Sequence, residues 1–444
     1  MEVIVIGGIA AGMSVAAKAR RENPDATITV IEKENYVSFG ACGLPYYLGG
    51  QFEDENEMFA RTPEQITASG INLLLNSEVT DVNFDEKNVT YKDLVTNDVT
   101  TKAYDRLMIA TGASPIVPNI DGVDSDNVYT FTRLDDVNRL MSKLDQYQNI
   151  TIVGGGFIGV EVAEQLAPFN KNITLIHSHE RLMNSVFDSE FGEKIEEALS
   201  NEGINILLES RANGFTLNDQ SVSQVLVNDQ AIDVDAVILA VGFKPNTHFL
   251  KDKLDMLDNG AIITDNFGRT SIKDVFAAGD CASVNDRLAG TIYLPLATYA
   301  NKMGRIIGTN IVTEEKDWNE FNGALSSSYL KAGASEAGAT GLNEAGAKAL
   351  GLDYKTTLVH ANNHSNYYPN QQTIMIKLIY DANTFVLYGA QIFGQEEAVL
   401  RIQALTTAIY AGLTTKELGF MDFGYAPPFA STWEALNIAA NTAK

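Results

Sequence analysis

The sequence predicts an α/β protein in which two glycine-marked βαβ units are followed by an α+β domain. Residues 3–12 read VIVIGGIAAG and residues 150–159 read ITIVGGGFIG, so a β-branched run, a glycine turn and a small-residue helix occur twice. From about residue 322, short strand-like runs alternate with small-residue helices and carry no glycine signature. The 444 residues exceed the usual size of one domain, so we expect two or three.

The segments after the two glycine turns also match. The first copy continues with a predicted helix over residues 13–20 and a strand over 26–32, and the second with a helix over 160–166 and a strand over 172–177. This order is typical of a Rossmann-like dinucleotide-binding domain. Glycines let the backbone turn tightly and approach a pyrophosphate, which free N–H groups at the helix N-terminus then bind.

The two turns differ in two positions. The second copy has the full GxGxxG pattern, formed by Gly154, Gly156 and Gly159. The first has Gly7 and Gly12, but Ile9 replaces the middle glycine. Glu32 closes the second strand of the first copy, where an acid takes ribose hydroxyls, whereas His177 occupies that place in the second copy. A protonated His177 or Arg181 would accommodate a 2′-phosphate, or these residues simply face solvent, so NADH and NADPH stay open.

Two further segments predict a second dinucleotide of the flavin type. Residues 107–112 read LMIATG and residues 275–282 read VFAAGDCA, in which Asp280 follows a tight turn and is suited to bond a sugar-alcohol chain. Two dinucleotides in one chain suggest electron transfer from a nicotinamide to FAD. The predicted domains are a split FAD domain (1–115 and 244–321), an inserted NAD(P) domain (116–243) and a C-terminal dimerisation domain (322–444).

Composition argues against several other classes of protein. The chain has 32 basic and 57 acidic residues, a net charge of −25, which disfavours nucleic acid and anionic membrane as partners. Two distant cysteines without a CxxC exclude a disulfide scaffold and fit a reducing cytoplasm. The five histidines show no metal-binding spacing. Because no leader or long apolar run is visible, we expect a cytoplasmic protein without a membrane segment.

Cys42 lies in SFGACGLPYYLGG, residues 38–50, directly after the first βαβ unit. We expect it to open a helix with Pro45 in the first turn, where the helix N-terminus would lower the pKa of the thiol. The alternative is that Cys42 is a small buried side chain.

With these motifs in this order, the whole chain resembles the pyridine nucleotide–disulfide oxidoreductases. It is most similar to the branch with one redox cysteine: coenzyme A-disulfide reductases, NADH oxidases and NADH peroxidases. SFGACGLPYY matches the active-site segment, GGGFIGVEVAE the nicotinamide segment, and GYAPPFASTW (residues 424–433) the tail that closes the site in the reductases. Most disulfide reductases have a CxxxxC pair, but Tyr47 stands at the second position, so the partner of Cys42 must be an external thiol or a sulfenic acid.

The resemblance also implies which residues contact the cofactors. The implied FAD contacts are Gly7, Gly8, Gly12, Glu32, Lys33, Thr111, Gly112, Gly279, Asp280 and Ala297. The implied NAD(P)H contacts are Gly154, Gly156, Phe157, Ile158, Gly159, Glu161, His177 and Gly242. Glu161 would order the nicotinamide or act as a first-turn acid of the helix. Cys281, beside the flavin turn, is assigned no chemistry.

The resemblance further implies catalytic tyrosines and a substrate site. Peroxidases and many water-forming oxidases have a histidine where this chain has Ala10, whereas the reductases have two tyrosines, matched by Tyr367 and Tyr425, that reach the cysteine from the partner subunit. Ordinary interface packing is the alternative for both tyrosines. The implied coenzyme A contacts are Ser14, Lys18, Arg21, Ser38, Phe39, Arg61, Asn301 and Trp433. For Lys18 and Arg21 the alternative is a solvated helix face.

The sequence therefore predicts a homodimeric FAD enzyme in which NAD(P)H reduces coenzyme A disulfide, or a related small disulfide, through Cys42. The alternative is a water-forming NAD(P)H oxidase, in which O2 is the acceptor and Cys42 cycles through sulfenic acid. Polysulfide or persulfide reduction would use the same groups. A non-enzymatic redox sensor is a hypothesis from another class.

Overall fold

The structure, a computed structural model, describes residues 1–228 and 230–444. The chain forms two compact units. The first consists of Met1–Tyr47, Phe52–Ser114 and Phe243–Ala324, and the second of Leu48–Gln51, Pro115–Gly242 and Leu325–Lys444. The second unit holds residues of both the predicted NAD(P) domain and the predicted C-terminal domain, so the three-domain boundaries stay a prediction.

Before residue 116 the strands are β1 (Glu2–Ile6), β2 (Thr27–Ile31), β3 (Asn72–Leu74), β4 (Ser77–Asn83), β5 (Asn88–Asp93), β6 (Val99–Ala103), β7 (Arg106–Ile109) and β8 (Ala113–Pro115). Up to residue 242 they are β9 (Val128–Thr130), β10 (Asn149–Val153), β11 (Asn172–Ile176), β12 (Asn205–Leu207), β13 (Ala212–Asn218), β14 (Ser221–Val227), β15 (Gln230–Asp233) and β16 (Ala236–Leu239). Later come β17 (Phe243–Pro245), β18 (Val275–Ala277), β19 (Val284–Asp286), β20 (Gly290–Ile292), β21 (Ser328–Ala332), β22 (Ser335–Gly341), β23 (Tyr354–Asn362), β24 (Thr373–Asp381) and β25 (Leu387–Gly394). The α-helices are α1 (Ala10–Glu22), α2 (Leu44–Leu48), α3 (Pro63–Ala68), α4 (Leu134–Met141), α5 (Phe157–Leu166), α6 (Ser189–Asn201), α7 (Ala297–Asn310), α8 (Glu344–Ala349), α9 (Ile402–Tyr410), α10 (Thr415–Gly419) and α11 (Ala435–Asn441).

The first unit is built on a parallel sheet of order β18-β7-β1-β2-β3. Its central strands are buried apolar runs, as expected for a parallel sheet covered by helices. Helix α1 packs closely on α7 because α7 has glycines at the contact. A Cβ atom on Gly304 would lie 2.6 Å from the Cβ of Ser14, and one on Gly308 would lie 2.6 Å from the Cβ of Lys18.

The second unit contains a parallel sheet and an antiparallel one. The parallel sheet has the order β12-β11-β10-β16-β9 and repeats the first unit's pattern of glycine turn and helix after its central strand. The antiparallel sheet has the order β21-β22-β25-β24-β23 and packs against α9 and α11. Within the described residues no helix is long and apolar enough to cross a membrane.

A buried lysine connects parts of the second unit that are far apart in sequence. The side chain of Lys377, on β24, is 2% exposed, and its ammonium group lies 2.9 Å from Asp188, 2.5 Å from Glu190 and in contact with Glu344. Gln391 donates a further hydrogen bond of 2.8 Å to Asp188. Lysine is almost never buried unless it is paired. The cluster therefore fastens the start of α6 to the C-terminal antiparallel sheet.

Candidate active site

The first glycine turn holds backbone segments in close contact. Gly7 has a φ of +100°, and a Cβ there would lie 2.1 Å from the carbonyl oxygen of Ala110 at the end of β7. Glu32 is 6% exposed and accepts hydrogen bonds from the backbone N–H groups of Gly8 (2.5 Å) and Glu34 (2.9 Å). Burial raises the pKa of Glu32. The turn thus presents a buried carboxylate where a ribose diol would need an acceptor.

Other predicted flavin residues converge on the same place. Gly279 has a φ of +84°, and a Cβ there would lie 3.1 Å from the Cβ of Ala11 and 3.9 Å from that of Ala300. Asp280 therefore follows a turn that lies against α1 and α7, and Ala297 is the first residue of α7. Burial raises the pKa of Asp280.

Thr111 and Gly112 continue the loop after β7, which also borders the first glycine turn: a Cβ on Gly7 would lie 3.4 Å from the N of Thr111. Asn246 fixes the loop after β7: its N–H donates to Gly112 O at 2.9 Å and its amide to Thr111 O at 3.1 Å. Lys33 is exposed and paired with Glu78 at 2.8 Å.

The second glycine turn repeats this geometry with different side chains. Gly154 has a φ of +117°, and a Cβ there would lie 2.2 Å from Ala240 O. A Cβ on Gly156 would meet no atom within 4 Å. Phe157, Ile158 and Gly159 follow as the first turn of α5. Open space next to free N–H groups at a helix start suits a pyrophosphate. Gly242 is the last residue of the Pro115–Gly242 segment of the second unit, and its carbonyl accepts the N–H of Ile116 at 2.9 Å.

His177 occupies the position that Glu32 has in the first turn. Its hydrogen bonds determine which of its ring nitrogens is protonated. The N–H of Gly155 donates to Nδ1 at 3.1 Å, so Nδ1 has no proton and Nε2 has one, directed at the Asn184 Oδ1 3.4 Å away. Burial lowers the pKa of His177. Arg181 lies 3.4 Å from Glu196. The end of β11 thus carries a neutral ring, with the nearby guanidinium already paired.

Glu161 lies on the first turns of α5 and is mostly buried. Burial, with a smaller effect from the charge of Glu164, raises its pKa to about 7. A carboxyl group that is partly protonated at neutral pH can both donate and accept hydrogen bonds.

Cys42 is exposed, and Cys281 is fully buried. Cys42 lies in the 3-10 turn Ala41–Gly43, which leads directly into α2. The prediction that Cys42 opens a helix therefore holds only in part: α2 has five residues, so its dipole contributes little to activating the thiol. Burial raises the pKa of Cys281, in agreement with its having no assigned chemistry.

The predicted substrate residues of the first unit form two groups. Ser38 accepts the N–H of Ala60 at 3.0 Å, which places the exposed Arg61 beside it, while Phe39 packs on Phe59 with ring centres 5.2 Å apart. The second group lies on α1 and α7. The hydroxyl of Ser14 donates to Asn301 at 2.8 Å, Lys18 pairs with Glu22, and Arg21 is exposed.

The structure brings the two predicted catalytic tyrosines together although they are 58 residues apart in sequence. Their hydroxyl oxygens lie 2.6 Å apart, with Tyr367 70% and Tyr425 47% exposed. The hydrogen bond from Tyr425 lowers the pKa of Tyr367 and raises that of Tyr425. Trp433 is also exposed and packs edge-on against Phe420 at 6.1 Å. Sequence reasoning missed Arg401, which hydrogen-bonds to the loops that carry these side chains.

Comparison with known proteins identifies the family. The family model of the pyridine nucleotide-disulphide oxidoreductases matches residues 1–304, and the model of their dimerisation domain matches residues 330–436. The chain belongs to the pyridine nucleotide-disulphide oxidoreductase family. The predicted fold class, with two dinucleotide-binding domains and a C-terminal dimerisation domain, is thereby confirmed.

Relatives within this oxidoreductase family have two kinds of activity in their names. An NADH oxidase of Enterococcus faecalis is 33% identical over 445 residues, covering 100% of this chain and 99% of the relative. An NAD(P)H coenzyme A polysulfide/persulfide reductase of Pyrococcus horikoshii is 35% identical over 449 residues, covering 100% and 98%. The structure of the water-forming NADH oxidase from Lactobacillus brevis bound to NADH superposes with a TM-score of 0.96 at 33% identity, covering 99% and 97%.

This family member is an NAD(P)H-dependent flavoprotein oxidoreductase, with FAD and NAD(P)H as its cofactors. The glycine turns and the buried Glu32 carboxylate fit these dinucleotides. When bound, the flavin supplies the two-electron chemistry that passes reducing equivalents from NAD(P)H to an acceptor.

Proposed function

We propose that the enzyme reduces coenzyme A disulfide, or a related low-molecular-weight disulfide, through the single redox cysteine Cys42. The observation that carries the proposal is the hydrogen-bonded pair of exposed tyrosine hydroxyls, Tyr367 and Tyr425, within the matched dimerisation domain. Such hydroxyls are suited to protonate a departing thiolate. An oxidase would have no evident need for them.

The chemistry of Cys42 follows from its exposure and from Tyr47, which removes an internal disulfide partner. The Cys42 thiolate attacks one sulfur of the substrate, a mixed disulfide forms, and the first thiol leaves with a proton from the tyrosine pair. Two electrons and one proton from NAD(P)H, with one further proton from solvent, then cleave the mixed disulfide. The second thiol leaves, the Cys42 thiolate is regenerated and the tyrosine pair regains its proton. In total, one NAD(P)H and one proton convert one disulfide to two thiols.

The proposed active enzyme is a homodimer in which the tyrosine pair of one chain serves Cys42 of the other. Support comes from the match to a dimerisation domain and from the large exposed aromatic side chains of that domain, including Phe429 at 77% and Phe420 at 71%. Monomeric proteins rarely expose so many large apolar groups in one region. The phosphates of coenzyme A would lie near Arg21, Lys18 and Arg61.

Intact mass under denaturing, non-reducing conditions tests the proposal. We expect a gain equal to one coenzyme A per chain after treatment with coenzyme A disulfide, which dithiothreitol removes and Cys42→Ser abolishes. Anaerobic NAD(P)H oxidation should then require the disulfide. Absence of both the adduct and disulfide-dependent turnover would refute the proposal.

The second candidate is a water-forming NAD(P)H oxidase, favoured by relatives at 29–33% identity that are named NADH oxidase. O2 would then take the electrons, and Cys42 would cycle between thiolate and sulfenic acid. Oxygen uptake of one O2 per two NAD(P)H, with a dimedone adduct on Cys42 and no coenzyme A adduct, would favour this activity.

A further inference from the structure

The two tyrosines lie on loops that have no regular structure of their own. Tyr367 lies between β23 and β24, and Tyr425 lies between α10 and α11. Exposed loops are mobile unless their backbone is hydrogen-bonded to a rigid element. Ser365 links the two loops directly, since its N–H donates to Pro427 O and its hydroxyl to Ala430 O, each at 3.3 Å. The 2.6 Å contact between the tyrosine hydroxyls depends on such links between the loops.

Arg401 contacts both loops at once. It ends the 3-10 turn Ala398–Arg401, just before α9, and its side chain is 17% exposed. Its guanidinium Nη2 donates to Asn363 O at 2.8 Å and to Phe429 O at 3.3 Å, and its Nε bonds to the carboxylate of Glu434. Asn363 precedes Tyr367 by four residues, and Phe429 follows Tyr425 by four.

The groups that Arg401 holds are themselves anchored. Asn363 closes the base of its loop by exchanging hydrogen bonds with Gln372, at 2.8 and 2.9 Å. Glu434 accepts the N–H of Leu436 at 2.5 Å and so caps α11, next to Trp433. A planar guanidinium directs several donors in fixed directions, which an ammonium group cannot do. Arg401 thus joins two anchored groups, Asn363 of the first loop and Glu434 at the start of α11.

We infer that Arg401 is a positioning residue that holds the Tyr367 and Tyr425 loops together, so that disulfide reduction depends on it although its own bonds go to two backbone carbonyls and to the Glu434 carboxylate. This inference rests on the proposed function of the tyrosine pair. It predicts a selective defect: the step that uses the tyrosines fails, while electron entry from NAD(P)H does not.

The test compares Arg401→Met and Arg401→Lys with Arg106→Met in the purified holoenzyme. Arg106 is a matched control, since it is also 17% exposed, bonds two backbone carbonyls (Asn310 and Thr313) and lies near one carboxylate, but in the first unit. We expect Arg401→Met to lower kcat with coenzyme A disulfide about 10-fold or more, and to leave NADH-dependent ferricyanide reduction within about 2-fold. Arg401→Lys should be intermediate, and Arg106→Met should leave the ratio of the two activities unchanged.

An unchanged ratio in Arg401→Met would overturn the inference, as would an equal change in Arg106→Met. If Arg401→Met does not fold, the same ratio in Arg401→Lys decides. If the wild-type enzyme reduces no disulfide, the proposed function fails on its own. The inference is then decided by crystal structures of the holoenzyme: the Tyr367 and Tyr425 hydroxyls, 2.6 Å apart in the wild type, should separate in Arg401→Met, and an unchanged contact would overturn it.

Discussion

The two glycine turns of this enzyme share one backbone design and differ in the side chain that completes it. Corresponding bonds link Gly7 N to Ile31 O and Gly154 N to Ile176 O, at 2.9 and 2.8 Å. The N–H of the following glycine donates a hydrogen bond to Glu32 in the first turn and to His177 in the second. The repeat extends six residues further, where Ser38 and Met183 both have a φ of +56°.

The difference shows that the backbone conformation of the glycine turn is separable from the side chain that would set the preference between nucleotides. Either a carboxylate or a neutral imidazole nitrogen can accept the second N–H of the turn. Only the carboxylate adds a negative charge, which would oppose a 2′-phosphate bound beside it. We therefore expect the first turn to take a nucleotide with a free ribose diol. At the second turn the neutral His177 would not repel a 2′-phosphate, and the nearby Arg181 is paired with Glu196.

The largest effects are expected from substituting Gly7 and Gly154, which share a positive φ and a close approach to a backbone carbonyl. In Gly7→Ala and Gly154→Ala the added Cβ would meet a carbonyl oxygen at 2.1 and 2.2 Å, at φ values that alanine avoids. We expect Gly7→Ala to be purified without flavin absorbance. Gly154→Ala should keep its flavin but lose about 100-fold or more in kcat/KM for NAD(P)H.

Gly156→Ala is the control for this pair, because its Cβ would meet nothing within 4 Å. Its thermal unfolding should match that of the wild type, with a smaller rise in KM for NAD(P)H. Loss of flavin from Gly154→Ala, or its retention in Gly7→Ala, would contradict the assignment of one cofactor to each turn.

A smaller effect is expected from giving the second turn the charge of the first. His177→Asp keeps an acceptor near Gly155 N–H and adds a negative charge that repels a 2′-phosphate. We expect the ratio of kcat/KM for NADH to that for NADPH to rise about 10-fold, equivalent to about 1.4 kcal/mol. Steady-state kinetics with both nucleotides measures it. His179→Asp, at an exposed neighbour, is the control, and an equal shift there would show a general charge effect.

The smallest expected effect concerns stability: the contributions of His177 and Glu32 to the stability of the fold should change with pH in opposite directions. Burial lowers the pKa of His177, so its contribution to stability is present above the ordinary value of 6.5 and is lost as the pH falls through its folded-state pKa. Burial raises the pKa of Glu32, so its contribution is present below 4.5 and is lost as the pH rises through its folded-state pKa.

Melting temperatures of the holoenzyme between pH 4.5 and 8 test this difference. Relative to wild type, His177→Asn should gain about 1–2 °C on acidification, and Glu32→Gln should gain about as much as the pH rises. If the melting temperatures of the two variants changed with pH in the same way, neither side chain would control the pH dependence of stability at its turn.

The parallel sheets were predictable from sequence because their central strands, β1 and β10, are β-branched runs followed by glycine turns. The strand β22 was missed because its sequence, SEAGATG, has low β propensity. It forms because β21 and β25 pair with it on both sides and because Gly338 has no side chain to clash with Ile402. The antiparallel strands β4–β6 and β13–β15 were not anticipated either.

Within the candidate site, sequence indicated positions better than partners. It indicated that His177 follows a strand at the position of the ribose-binding acid, but not that its Nδ1 accepts the N–H of Gly155. The contact between Tyr367 and Tyr425 depends on two loops that only tertiary structure brings together. Arg401 had no local signal, because its partners are two backbone carbonyls, which any residue could supply, and the Glu434 carboxylate 33 residues further along the chain.

The buried charges around Lys377 have a consequence for building hybrid enzymes. A chimera that takes only residues 116–243 from a relative would replace Asp188 and Glu190 while retaining Lys377 and Glu344. Unless the donor supplies acids at both places, a lysine would be left in the interior with too few counter-charges, which is strongly destabilising. Coenzyme preference is therefore better transferred by point substitution at the end of β11 than by exchange of the whole segment.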